Sequence, residues 1–362
     1  MAHRILVCVL NTVILCIPLH SVAENWSYTV REGDTLWGLC KKYTMKSDCW
    51  QLIGAHNEVS YPKHLAPGTR VNFPVKWLKQ QPQPARITYI RGTVSVTDET
   101  GTYPAELAQQ LGIGTVINIG EQSALSLQFA DGSSMRVNEP TRLRLDRLSA
   151  FGPTGMVDTR VFLERGALRI TVPKKDPPTQ FRVITPSAVA AVRGTDFRVT
   201  HNDSHVLTNG VYDGKVAVTN PLGEQNIPRG FGTVAEKNTP PIEAVKLLPA
   251  PKFKNRKKSS TATIPYLLDW ADVRQSKSYR VELFKPDAQN AVLFAATVSK
   301  SELVLEGLIP QCYTVRISAI DQYDLFGMPA TKKLCLSHPA PPKKESPWGI
   351  LTVLAIALGL SL

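Results

Sequence analysis

Cysteines and histidines are the side chains with the most latent chemistry in this 362-residue chain. Cys40 and Cys49 lie near each other, as do Cys312 and Cys335, while Cys8 and Cys16 fall in an apolar N-terminal run. No pair has the C-x-x-C spacing of a zinc or redox site. A cysteine nucleophile would need an unpaired thiol beside a histidine, and all four later cysteines have nearer partners. In an oxidising compartment, two local disulfides, Cys40–Cys49 and Cys312–Cys335, are the economical reading; four reduced, buried thiols are the alternative. His201, Asp203 and His205 alternate, so an extended chain puts them on one side. A solvated turn and an adventitious metal site are the two readings of that stretch. Glycan cleavage would need two placed carboxylates, which no motif marks. Neither type of phosphate-binding glycine loop occurs. No catalytic residue, cofactor or metal is therefore expected.

The ends of the chain bear on where it works. Arg4, the apolar run 5–18 and the small residues Ser21-Val22-Ala23 predict a cleavable signal peptide over residues 1–23. An uncleaved anchor is the other reading. At the far end, residues 348–362 are apolar but short of a hydrocarbon core about 30 Å thick. A weak membrane association and a sorting tail are both open there. The net charge of +12 resembles a nucleic-acid signal until it is located. Its excess sits in residues 241–262, where Lys246, Lys252, Lys254, Arg256, Lys257 and Lys258 face Glu243 alone. Only Phe253 offers an aromatic ring inside the run, and base stacking wants several, so no nucleic-acid partner is expected. Residues 238–262 read as a basic, Pro-rich linker that spaces its neighbours apart. The charges are either simply solvated or attracted to anionic wall or membrane polymers.

The chemistry-bearing residues must be positioned by short elements, because 27 prolines and 23 glycines favour strands and turns. Residues 26–76 read strand, helix, helix, strand. Tyr28 to Arg31 is extended and Glu32-Gly33 turns. Asp34 is the expected N-cap of a helix over residues 35–43. Ser47 is the expected cap of a second helix, residues 48–56, burying Trp50, Ile53 and Leu52, with Asn57 ending it. Pro67-Gly68 turns into a closing strand, residues 69–73. The run Tyr-Thr-Val-x-x-Gly-Asp-Thr-Leu-Trp from Tyr28 to Trp37, then Asn57, then Pro67-Gly68, resembles a LysM domain. The resemblance implies a βααβ fold that binds N-acetylglucosamine-containing glycans such as peptidoglycan or chitin. It also implies a groove with Gly33, Asp34, Thr35 and Leu36 on one side and Leu65, Ala66 and Pro67 on the other. Residues 56–62, His-Asn-Glu-Val-Ser-Tyr-Pro, depart from the commoner Asn-Pro start of the second loop, which leaves the glycan preference open.

Lys79 to Pro84 reads as a linker. Residues 85–237 then alternate with period 2, with Asp131-Gly132 and Asp213-Gly214 as hairpin signals. The stretch Thr185-Pro186-Ser187-Ala188-Val189-Ala190-Ala191-Val192-Arg193-Gly194-Thr195-Asp196-Phe197-Arg198-Val199 resembles the signature of the FecR domain. Phe129-Ala130-Asp131-Gly132-Ser133, Leu163 to Leu168 and Asp213-Gly214-Lys215-Val216 accompany it in family order. Well-known members are sensors that control a sigma factor, but they carry a cytosolic segment and a membrane helix where this chain has its LysM-like module. Gly194 is expected at an unusual backbone angle, with Arg193 pairing Asp196 or Asp213. Residues 263–338, with Trp270, Tyr279-Arg280-Val281 and Tyr313-Thr314-Val315-Arg316-Ile317, resemble a fibronectin type III-like sandwich.

The expected fold class is therefore multidomain and mainly β: a small α+β LysM module, a FecR-type β-sandwich or β-roll, and a fibronectin type III-like β-sandwich. The expected function is that of an exported, non-enzymatic envelope protein. In that reading residues 26–76 hold peptidoglycan glycan strands and the β-domains contact an unidentified envelope protein. A FecR-like periplasmic sensor is the second reading.

Overall fold

The computed structural model describes residues 25–337, except residues 47, 138–139, 155, 176–178, 255–260 and 287. The expected signal peptide, Ser47 and the apolar segment 348–362 lie outside the described residues. The chain is mainly β and divides into two units. The first runs to Gln80 and includes Phe151–Thr154; the second comprises Gln81–Ala150 and the residues from Gly155 onward.

In the first unit, β1 (Asn25–Thr29) pairs antiparallel with β2 (Arg70–Pro74), and α1 (Leu36–Tyr43) and α2 (Cys49–His56) lie between them in sequence. Trp26, Tyr28, Tyr43 and Phe73 are buried and stack with centroids 4.7–6.2 Å apart. These tilted rings share the core with Leu36, Leu39, Ile53 and Val71, which are also buried. The disulfide Cys40–Cys49 joins the helices and closes a short loop, a constraint worth about 2–3 kcal/mol in the chain-entropy model.

The second unit is organised by one long strand, Val157–Thr171. Its first half pairs with Thr141–Ala150 and, in parallel, with Gln180–Ile184. That ladder extends on one side through Val116–Ile119, Val94–Asp98 and Gly101–Pro104, and on the other through Val189–Val192, Lys215–Asn220 and Gly223–Pro228. Its second half pairs with Ser134–Val137 and Asp196–His201, and so belongs to another sheet. This second ladder continues through Ala124–Gln128, Ala85–Arg91 and Gln110–Leu111, and oppositely through Val206–Asp213, Phe231–Glu236 and Val245–Lys246. Both sheets contribute to one apolar core that includes Ile87, Val96, Leu127, Leu145, Val161, Leu168, Phe181, Phe197 and Val218.

The strand changes sheet at Gly166. This residue has φ +110, and a Cβ there would lie 2.2 Å from Thr141 Oγ1, so only glycine fits. Asp213-Gly214, expected to turn a hairpin, does something different. Val206–Asp213 and Lys215–Asn220 belong to different sheets and do not pair with each other. Gly214, at φ +80, carries the chain from one sheet to the other, and Gly194, at φ +64, does the same between Val189–Val192 and Asp196–His201. Asp196 bonds Arg169 at 2.6 and 2.7 Å rather than Arg193, and Asp213 pairs with Lys174 at 3.6 Å. Asp131-Gly132 does turn the expected hairpin.

Residues 261–337 form a five-stranded sheet, in the order Thr261–Thr263, Ala330–Ser337, Cys312–Ile320, Ser278–Lys285, Ala288–Val298, and a pair, Tyr266–Asp269 with Glu302–Leu305. Trp270 is fully buried against Tyr279. Tyr313 donates its hydroxyl to the Ile309 carbonyl at 2.6 Å. Cys312 and Cys335 face each other in register and form the second disulfide.

Residues 238–254 do not space the two β regions apart as their composition suggested. Val245–Lys246 adds a strand to Phe231–Glu236, Leu247 and Leu248 are buried, and Lys254 N–H donates to the Asp269 carbonyl. Gln81–Pro82, within the first compositional linker, likewise pairs with Ser149–Ala150. The β regions meet directly. Tyr89 donates to the Val292 carbonyl, Arg91 to that of Leu293, and Phe284 and Val292 cover Ala124. This cover explains why residues 124–127 are buried on both faces instead of alternating. Arg169 lies over Tyr212 at 3.6 Å, Arg198 over Phe326 at 3.8 Å and Arg316 over Phe284 at 4.5 Å. Burial, with Arg316 and Arg169 close by, pulls the Arg136 guanidinium down to about 10.

Candidate glycan-binding groove

The loop between β1 and α1 is a tight turn. Asp34 N–H donates to the Arg31 carbonyl at 3.1 Å, with Gly33 at φ +83, the angle that favours glycine at the third position of a type II turn. Asp34 is not the helix cap. Its carboxylate accepts from Arg31 N–H at 2.7 Å and from the Tyr28 hydroxyl at 2.9 Å. Burial, together with this hydrogen bond to Asp34, pushes the Tyr28 phenol up to about 12. The cap is Thr35, whose Oγ1 accepts from Gly38 N–H at 3.0 Å. A hydroxyl one residue later competes successfully because Asp34 is already committed to the turn. At α2, Asp48 occupies the cap position without a side-chain bond.

Of the expected site residues, Gly33 is exposed, Asp34 and Thr35 are half-buried, and Leu36 is fully buried. Leu36 therefore offers a ligand no side-chain surface, but its N–H donates to the Pro62 carbonyl at 3.0 Å and ties the two loops together. Leu65 is half-buried, and Ala66 and Pro67 are exposed. The Ala66 carbonyl accepts from Thr69 N–H and Oγ1, and Gly68 N–H donates to Val30.

The concavity beside these loops takes in Thr35 but none of the other expected residues. It is a groove of about 550 Å³ between Thr35, Trp37 and Trp50 on one side and residues 60–64 on the other. Trp37 is 59% and Tyr61 75% exposed. Trp50, expected in the core, is only half-buried and lines this groove, and Leu52 is exposed. Successive helical residues are about 100° apart, so Trp50 and Leu52 lie about 160° apart and cannot share one face; Ile53, between them, takes the core. That conflict was a usable sign of the groove. The Ser-Tyr-Pro that replaces the commoner loop was the other sign.

A groove walled by ring faces and by loop amides suits a sugar chain, which has apolar C–H faces and polar edges. Among the described residues no carboxylate lines it. A larger cleft, about 1120 Å³, in the second unit is lined by Arg165, His201, Asp203, Lys277 and Tyr323, among others. His201 is buried: its Nδ1 faces the Glu164 carbonyl at 2.6 Å and its Nε2 faces Ser187 Oγ at 3.2 Å. Desolvation by burial lowers its pKa. The ring thus serves packing rather than ligation. Among the described residues no three His, Cys, Asp or Glu side chains are placed to hold a metal ion.

Residues 28–74 match the family model of the LysM domain, and residues 115–217 match that of FecR protein. No curated protein matches the sequence. Two crystal structures of a protein described as an anti-sigma factor from Parabacteroides distasonis ATCC 8503 align at 17% and 19% identity. Each covers 36% of this chain and 59% of its own, with a TM-score of 0.31. The extracellular domain of a protein described as a one-component system from B. thetaiotaomicron aligns at 9% identity. That alignment covers 71% of this chain and 58% of the other, with a TM-score of 0.17. The chain thus spans less than two thirds of each of these structures. By its two family matches, the chain carries a LysM domain at residues 28–74 followed by a FecR domain at residues 115–217.

Proposed function

We propose that the protein is a non-enzymatic, peptidoglycan-binding envelope protein. Its LysM domain holds N-acetylglucosamine-containing glycan, and its β-domains, the last of fibronectin type III-like build, form a scaffold for an envelope protein partner. The observation that carries this reading is the groove at Thr35, Trp37, Trp50 and residues 60–64, open and aromatic in a module of LysM type. In this reading the neighbouring loops with Gly33, Asp34, Thr35 and Leu36, and with Leu65, Ala66 and Pro67, offer the backbone groups not already bonded within the fold to N-acetyl substituents. Two disulfides suit an extracytoplasmic setting. No helix among the described residues is long and apolar enough to cross a membrane.

The test is co-sedimentation with insoluble peptidoglycan. The mature chain should pellet with purified sacculi, and a chain lacking residues 26–76 should not. Equal sedimentation of the two would overturn the proposal. Long incubation should release no muropeptides. The FecR match favours a second reading, a periplasmic sensor. An N-terminus left intact in the cell would support the sensor, and a cleaved one the wall binder.

A further inference from the structure

The rings in the LysM groove lie outside the stacked aromatic cluster of the module's core. That cluster consists of Trp26, Tyr28, Tyr43 and Phe73, which stack on one another. Trp37 and Tyr61 stand outside that cluster, 59% and 75% exposed, and Trp50 is half-buried at the groove wall. Large apolar rings kept in water on so small a domain mark a contact surface. Their flat faces match the C–H face of a pyranose.

Lysine ammonium groups stand beside these rings. Lys63 and His64 line the groove, and Lys41 Nζ lies 5.3 Å from the centroid of the Trp37 ring. Among the described residues no carboxylate lines the groove beside Lys63. A neutral N-acetylglucosamine chain would gain only hydrogen bonds from the two lysines. A glycan of the same backbone bearing carboxylates would gain an ion contact at each ring stacked there.

Building on the glycan-binding reading above, we infer that the groove selects a carboxylate-bearing glycan, one whose N-acetylated pyranoses carry lactyl ethers, over a neutral chitin-type chain. Trp37, Trp50 and Tyr61 supply the ring contacts common to both ligands. Lys63 and Lys41 supply the part that distinguishes them.

The experiment uses the full mature chain and two tetrasaccharides with the same β-1,4-linked, N-acetylated backbone. One is chitotetraose. The other is peptidoglycan tetrasaccharide stripped of its stem peptides by an amidase, so that free lactyl carboxylates remain. Titration calorimetry should show the lactyl-bearing chain binding about two- to fivefold tighter at low salt, the range expected of exposed ion pairs. The ratio should shrink at about 1 M salt, where the screening length falls to about 3 Å. Replacing both cations, Lys41→Gln with Lys63→Gln, should bring the ratio to about one whatever the change in chitotetraose affinity, whereas Trp37→Ala should weaken both ligands and leave the ratio in place. Equal affinities at low salt, or a ratio moved neither by salt nor by the lysine substitutions, would overturn the inference and leave glycan binding standing. If the unaltered chain bound neither ligand, the inference and the proposed function would fall together.

Discussion

Asn57 grips the backbone of Asn72 at both of its polar groups: Nδ2 donates to the Asn72 carbonyl at 2.8 Å, and Oδ1 accepts from the Asn72 N–H at 2.7 Å. Asn72 sits in β2, opposite Ser27 of β1. The amide side chain thus plays the part of a third strand on an edge that β1 cannot reach. Its Nδ2 also donates to the Ile53 carbonyl at 2.9 Å, finishing the last turn of α2.

Asn57→Ala removes these bonds and leaves part-buried backbone groups without partners. The expected cost is about 2–4 kcal/mol, since each orphaned group carries a penalty of about 1–3 kcal/mol. Calorimetry of the full chain should show the LysM transition moving down in temperature while the transition of the second unit stays in place. An unchanged LysM transition would refute the account of this contact.

Tyr28 gives the LysM domain an alkaline limit. Its folded pKa, about 12, lies above the ordinary 10 because burial and the bond to Asp34 favour the neutral phenol. The folded state therefore holds its proton more tightly than the unfolded chain. The resulting stability is fully present below pH 10 and is lost as pH rises from about 10 to about 12. Thermal melts across that range should fall for the natural sequence and fall less for Tyr28→Phe. At neutral pH that variant should be about 1 kcal/mol less stable.

His201 should make the second unit acid-sensitive. Burial lowers its pKa below the ordinary 6.5, and the bond to the Glu164 carbonyl, with the Asp203 carboxylate, only partly offsets burial and the neighbouring His205. In the folded state the ring is held neutral, and the unfolded chain binds the proton more readily. The stability this provides is present above pH 6.5 and is lost as pH falls below it. His201→Gln should flatten the dependence on pH below 6.5, read as denaturation midpoint against pH. A slope identical to that of the unsubstituted chain would show that other groups govern acid unfolding.

Arg198 and Phe326 join the FecR domain to the last β region, with the guanidinium 3.8 Å from the ring centroid. The Tyr212 hydroxyl donates to the Phe326 carbonyl at 3.3 Å beside them. A desolvated stack of this kind is worth about 2 kcal/mol, so Phe326→Ala should lower the stability of residues 81–337 by about 2–3 kcal/mol, with the lost packing included. Because the two regions share this interface and the packed segment 245–248, they should unfold in one transition. Two well-separated transitions within residues 81–337 would contradict that coupling.

Local chemistry in the sequence determined a good deal of this protein. The turn at Gly33, the pairing of cysteines within each region, the hairpin at Asp131-Gly132, and the motifs of the LysM and FecR domains all depend on residues close together in the chain. Backbone angles, short loops and alternation act at that range. Tertiary structure decided the rest. Asp213-Gly214 carries a hairpin's dipeptide, yet the chain turns there toward the opposite sheet, because Val206–Asp213 pairs with Asp196–His201 and Phe231–Glu236 in one sheet while Lys215–Asn220 pairs with Val189–Val192 and Gly223–Pro228 in the other. Asp34 had the chemistry of a helix cap but was taken by Arg31 and Tyr28, leaving the cap to Thr35. Trp50 moved from the expected core to the groove because Ile53 and Cys49 filled the inner face of α2. The basic segment after residue 238 had the composition of a spacer, and Leu247 and Leu248 nonetheless bury themselves between the β regions. Period and propensity report which residues prefer to be covered. They do not report what covers them, because that depends on surfaces brought together only when strands distant in sequence pair.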